Sequence, residues 1–233
     1  MSNINIAESV IRLVRMVTED ESLDDIKIKK RILGFTYNVD TKEIGVPKYL
    51  KYSRERDIKL ILYINNLYGL DLDSNDMGVR CIFGVLHEIG HHVDLTSKKK
   101  QGEKVYNDYL ELNYKIKKEL RDKFDKNNKD MSDTIQTLRD RINELYEKKT
   151  ELEKTRSSYY NDPTLTELLN EYERQCTILE NGIESLEELK NEIQDKIDYD
   201  YRQIVGEYEA DKWAALFIKK YDSLLNNIIK NDF

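Results

Sequence analysis

The stretch after Gly102 constrains the fold more than any other feature. From Lys104 to Phe233 there is one proline, Pro163, and few glycines. Proline and glycine are the residues that stop helices, so their scarcity leaves little but long helices for more than half the chain. The apolar residues agree. Ile135, Leu138, Ile142, Leu145 and Leu152 keep a heptad spacing. Tyr172, Leu179, Leu186 and Ile193 recur at every seventh position, seconded by Leu169, Cys176, Ile183 and Ile197. Such spacing draws one apolar seam along a helix. Asp162-Pro163 marks a turn between two arms of equal length, 103–160 and 164–221. The pattern predicts an antiparallel helical (coiled-coil) hairpin, inserted at 103–198. Val105, Tyr109, Leu112 and Ile116 fall out of frame with the later set, which predicts a kink or break near 127–131.

Composition supports this picture and excludes others. Hydrophobic residues make up 39% and charged residues 36%, a balance that suits a modest core joined to long solvated helices. A net charge of −7 gives no electrostatic case for nucleic acid and argues against an anionic membrane surface. The apolar run around 60–64 is far short of the roughly 20 residues a membrane span needs. Arg12 and Arg15 interrupt the N-terminal apolar stretch, unlike a signal peptide. Cys81 and Cys176 lie far apart in no paired motif and read as reduced thiols of a cytoplasmic protein.

The first hundred residues are mixed. Ala7, Val10, Ile11 and Val14 give 4–16 an amphipathic helix pattern. Residues 32–37 and 43–46 read as two short strands around Asp40-Thr41. Residues 59–64 are the strongest strand candidate, ended by Asn65-Asn66 and Gly69. Asp73, Ser74 and Asn75 offer a cap for a helix over 77–95, and Lys98-Lys99-Lys100 with Gly102 offer its stop.

That helix carries His87-Glu88-Ile89-Gly90-His91, an H-E-x-x-H match. Residues four apart share a helix face, so His87 and His91 can point nitrogens at one ion. Glu88 sits one step round, placed to take a proton from a metal-activated water without ligating. All three histidines of the chain lie here. His92 is read as supporting the site rather than binding metal. Gly84 and Gly90 weaken the helix and predict a close approach of backbone or substrate.

A catalytic zinc (Zn2+) takes three protein ligands and leaves one position open. With no further histidine free, the third ligand is read as a carboxylate. Glu207 and Asp211 stand four apart in the segment 206–215. Glu207 could ligate while Asp211 accepts a hydrogen bond from a ligating imidazole, with Glu209 as the rival ligand. Ala210, Ala214 and Ala215 let this helix lie close to another, and the low-charge patch 213–218 reads as re-entry into a core.

The two motifs, H-E-I-G-H-H and E-Y-E-A-D-K-W-A, resemble the gluzincins, and within them the ImmA/IrrE family of bacterial and phage metallopeptidases. The second motif also resembles the HtpX-like and CAAX-processing peptidases, which are integral membrane proteins. The ImmA/IrrE resemblance implies a zinc-dependent endopeptidase acting on a protein substrate such as a regulator. By it, His87, His91 and Glu207 map to ligands, Glu88 to the base and Asp211 to the partner of a ligating histidine. The chain departs from that family in the long spacing between His91 and Glu207 and in Asp211, where asparagine is commoner. It also lacks an evident helix-turn-helix module.

The sequence thus predicts an α+β protein: a zincin-like core from 1–102 and 199–233, with the helical insertion at 103–198. Residues 60–64 are expected to hold substrate as an added strand. Tyr201 or Tyr208 is a candidate donor to the reacting oxyanion. The hairpin is expected to recruit a protein partner or substrate by helix packing. The alternative is a coiled-coil interaction module whose zinc site is structural or vestigial.

Overall fold

A computed structural model describes residues 3–32, 34–47, 54–156 and 163–232. Among these residues, six α-helices and a three-stranded sheet make a mostly helical α+β fold. No helix among the described residues is long and apolar enough to cross a membrane.

Helix α1 (Asn3–Thr18) forms where the apolar spacing places it and buries Ile6, Ala7, Val10, Ile11, Leu13 and Val14. Strands β2 (Thr36–Asn38) and β3 (Glu43–Pro47) make the antiparallel pair expected around 40–41. The Asn38 side chain closes their turn by accepting from Asp40 N and Thr41 N at 3.0 and 3.1 Å. The first of these strands is shorter than 32–37: Ile32 is exposed, and Leu33 lies outside the described residues. Strand β1 (Lys27–Arg31), not anticipated from sequence, pairs parallel to β3 and completes the order β1-β3-β2. Its K-I-K-K-R composition is that of a solvated edge, where charge discourages pairing with another chain.

The strand expected at 59–64 is a helix. Residues 60–64 lie inside α2 (Arg54–Tyr68). Ile61 and Ile64 are buried three apart, while Leu62 between them is 52% exposed. That is helical spacing, which a short apolar run cannot reveal by itself. The substrate-holding strand assigned to 60–64 is therefore withdrawn.

Helix α3 (Met77–Gln101) starts at the expected residue and runs past 95, but its cap is Asp76, one residue after the candidates at 73–75: Asp76 accepts from Gly78 N and Val79 N. It ends at Gly102, whose positive φ of 126° suits glycine. Helix α4 (Glu103–Arg156) runs without the break expected near 127–131. Of its earlier apolar frame, Val105 and Leu112 are exposed and Ile116 falls in the second compact unit. Residues up to Tyr114 belong with the first compact unit, which comprises 1–114 and 202–233. The second unit is 115–201.

Within the second unit, α4 and α5 (Pro163–Arg202) pair antiparallel. Arg139 meets Glu187 at 2.9 Å, Tyr146 meets Glu180 at 3.0 Å and Lys149 meets Glu173 at 3.5 Å. Ile135, Ile142 and Leu145 on one helix, and Leu169 and Cys176 on the other, are buried. The turn expected at Asp162 falls in 157–162, outside the described residues. The return arm is not one helix through 221. It stops at Arg202, bends at Gln203–Ile204 and restarts as α6 (Val205–Asp232).

In the first unit, α3 packs most extensively against α6. Ala214, Ala215, Phe217 and Ile218 join Phe83, Leu86 and Ile89 in its core. Gly90 permits the approach: a Cβ there would stand 2.8 Å from both the Cα and the carbonyl oxygen of Ala210. Gly84 likewise makes room for the ring of Phe35. Gly90→Ala is expected to destabilise the protein by about 1–3 kcal/mol, because the obstructing atoms are backbone. Gly182→Ala, with nothing within 4 Å of its Cβ position, is expected to stabilise by up to about 1 kcal/mol through helix propensity. Urea unfolding of the two variants reads these opposite signs.

Candidate metal centre

His87 and His91 project from successive turns of α3, with ring centroids 4.6 Å apart and planes nearly perpendicular. Glu207 lies in the first turn of α6 and Asp211 one turn further on. The contact of Gly90 with Ala210 sets these two short stretches face to face. One ligand atom each from His87, His91 and Glu207 lies within 4.8 Å of the others, the one such group among the described residues. His87 and Glu207 are buried and His91 is half-buried.

The hydrogen bonds orient the donors. His87 Nδ1 donates to Asp211 Oδ1 at 2.7 Å, which leaves Nε2 facing Glu207 Oε2 at 3.3 Å. His91 Nε2 stands 3.6 Å from Glu207 Oε1. In a tetrahedral site with bonds of about 2.05 Å, neighbouring ligand atoms are separated by roughly 3.3 Å. Two imidazole nitrogens and a carboxylate at these separations suit a borderline-soft divalent cation. The cluster can therefore hold a metal ion. Glu88 is buried beside His87, with 6% of its surface exposed.

Burial alone would push the His87 imidazole down. Asp211 and Glu207, followed by Glu88, outweigh it and raise His87 to about 9. A metal must displace that proton to reach the nitrogen.

Arg202, the last residue of α5, was not singled out by sequence reasoning. Its Nη1 stands 3.3 Å from Asp211 Oδ1 and 3.6 Å from Glu207 Oε2. It is one cation at the end of a strongly charged helix, and its place before the bend at 203–204 is what sets it beside the two carboxylates. Asn113 was also missed. Its Oδ1 accepts from Gly206 N at 3.1 Å, one residue before Glu207. Tyr109, on the same face of α4, donates to Asp94 on α3. The root of α4 is thus stitched to both helices that carry the cluster.

Other candidates take different places. His92 is buried, but its nitrogens are occupied by Ser22 Oγ at 3.0 Å and Tyr37 OH at 2.7 Å. It ties α3 to the sheet rather than supporting the cluster as expected, because it points about 100° round the helix from His91. Glu209 pairs with Lys212 at 3.7 Å on a part-exposed face and stands outside the cluster. Tyr201 belongs to the second unit, where Lys117 lies over its ring. Tyr208 turns its ring toward Lys212. The phenol that feels the charge of Asp211 is Tyr68: burial, then Tyr208 and Asp211, hold it well above the ordinary tyrosine range. Its hydroxyl is buried and has no hydrogen-bond partner among the described residues.

No protein-family model matches the chain, and comparisons with curated proteins and with solved structures find none similar to it.

Two outcomes are expected. Zinc affinity, measured by chelator competition, should rise with pH until about 9 and then level, since His87 must lose a proton to bind. Arg202→Met should cost the metal-free protein about 1–3 kcal/mol in urea unfolding, by leaving two buried carboxylates to share the single charge of His87. The loss should be smaller with zinc bound, because the ion then balances Glu207.

Proposed function

We propose that the chain is a zinc-dependent endopeptidase that hydrolyses peptide bonds of a protein substrate. The observation that carries this reading is the buried His87–His91–Glu207 cluster with Glu88 next to it on the same helix. Two nitrogens and one carboxylate form the donor set of a hydrolytic zinc site, which keeps a coordination position open. The resemblance of the two motifs to the ImmA/IrrE gluzincins supports the same reading, and with it a zincin-like core and a regulator as substrate.

When bound, zinc would lower the pKa of a coordinated water and polarise the peptide carbonyl. The remaining work falls to the chain. Glu88 accepts the water's proton as oxygen attacks the carbonyl carbon, then delivers it to the leaving amine as the C–N bond breaks. Asp211 holds His87 in the tautomer that presents Nε2. Arg202 keeps the Asp211 and Glu207 carboxylates fixed and partly neutralised. Partner recruitment by the long helix pair belongs to the same proposal, as does a cytoplasmic location, which the two unpaired cysteines suit.

The competing reading is an interaction module with a structural metal. A structural site is closed by four protein ligands and has no use for a carboxylate beside it. Glu88→Gln decides between them. The proposal expects one zinc per chain in wild type and variant alike, with peptide hydrolysis falling by about 100- to 10,000-fold in the variant. Equal hydrolysis by both proteins would falsify Glu88 as the base, and a wild type that takes up no zinc would sink the metal reading altogether.

A further inference from the structure

Arg80 closes the first turn of α3 and only 4% of its surface is exposed. Its Nε and Nη1 are buried and meet no hydrogen-bond acceptor among the described residues. Elsewhere in this unit, His87 meets Asp211 and Glu207, and Arg202 meets both carboxylates, with only Asp211 Oδ2 left without a partner among the described residues. A guanidinium is always charged at physiological pH, so it cannot escape burial by losing its proton. A buried cation with unmet donors is costly unless an anion supplies the acceptors.

Its position says what that anion belongs to. Arg80 precedes His87 by seven residues and His91 by eleven. At 100° per residue, these steps return to within about 20° of the starting direction, one on each side. Arg80, His87 and His91 therefore share one line along α3, with Arg80 about 10 Å upstream of His87. Gly84 lies between them, where the missing Cβ leaves room for the Phe35 ring. The helix face that presents the metal ligands thus continues into an unpaired positive charge.

We propose that Arg80 is a specificity residue that binds a carboxylate of the substrate, an aspartate or glutamate within two positions of the bond cut. This rests on the peptidase reading above. The reach is consistent: an extended chain advances about 3.3 Å per residue, and an acidic side chain covers the remaining few ångströms. Carboxylate is the anion whose planar shape guanidinium matches. Both charges are desolvated when they pair, so a neutral amide of the same shape is rejected because it leaves the guanidinium unpaired.

The test uses the zinc-loaded full chain and a peptide library from a digested proteome, with Glu88→Gln as the blank. Cleavage sites should be enriched in aspartate or glutamate at one position within two residues of the cut. In a peptide chosen from these, replacing that glutamate by glutamine should lower kcat/KM at least about tenfold for wild type. The same replacement should have little effect in Arg80→Gln and an intermediate one in Arg80→Lys. Absence of an acidic preference in wild type, or a preference that survives in Arg80→Gln, overturns the proposal. If Arg80→Gln does not fold, the glutamate–glutamine comparison on wild type and Arg80→Lys decides alone. A library left uncut would sink the peptidase reading instead, and the anion site is then judged with glutarate at constant ionic strength. Glutarate should raise the unfolding temperature of metal-free wild type and not that of Arg80→Gln; no rise, or equal rises, overturns it.

Discussion

The close approach of α3 and α6 at Gly90 and Ala210 is the contact on which the first unit depends. With no side chain between the backbones, residues one turn either way face each other across a narrow gap. His87 then lies within 2.7 Å of Asp211, and both histidines lie within a few ångströms of Glu207. A helix pair held at the usual 8–10 Å by larger side chains would separate these groups and leave three acids and two imidazoles without a common centre. Alanines at 210, 214 and 215 extend the same closeness along α6, so the core and the cluster are products of one packing choice.

That choice concentrates charge where water is scarce. Glu88, Glu207 and Asp211 are all buried within two turns of helix, an arrangement costly in isolation. The fold answers with Arg202 at one side and with the raised affinity of His87 for a proton. A divalent cation replaces part of that protonic charge with a fixed one. The same set of residues therefore explains why the site is assembled and why it would bind metal more firmly as the proton is removed.

How much of this was legible depended on how local the signal was. His87, Glu88 and His91 fall within five residues, and helix geometry alone relates them. Glu207 and Asp211 were found by the same four-residue rule, aided by the small residues around them. Arg202 and Asn113 were not, because their roles follow from the bend at 203–204 and from the placement of the α4 root, neither of which has a sequence signature. Arg80 looks like any cation near a helix start until its burial is known. Residues 60–64 were misassigned because five apolar residues satisfy a strand and a helix equally, and β1 was overlooked because its charges mask it. The unbroken α4 shows that a shift in heptad frame need not mark a change of direction.

The distance in sequence between His91 and Glu207 has a kinetic side. Bringing together the ends of a flexible loop of that length costs about 4 kcal/mol in chain entropy. Here the intervening chain is mostly two antiparallel helices stabilised by contacts of their own. Once they zip together, the stretches that enter and leave them are already near one another, and the remaining search is that of a short loop. The helix pair thus acts as a closing device for a ligand set whose last member is made long after the first two. The site can be assembled only when translation has passed residue 207.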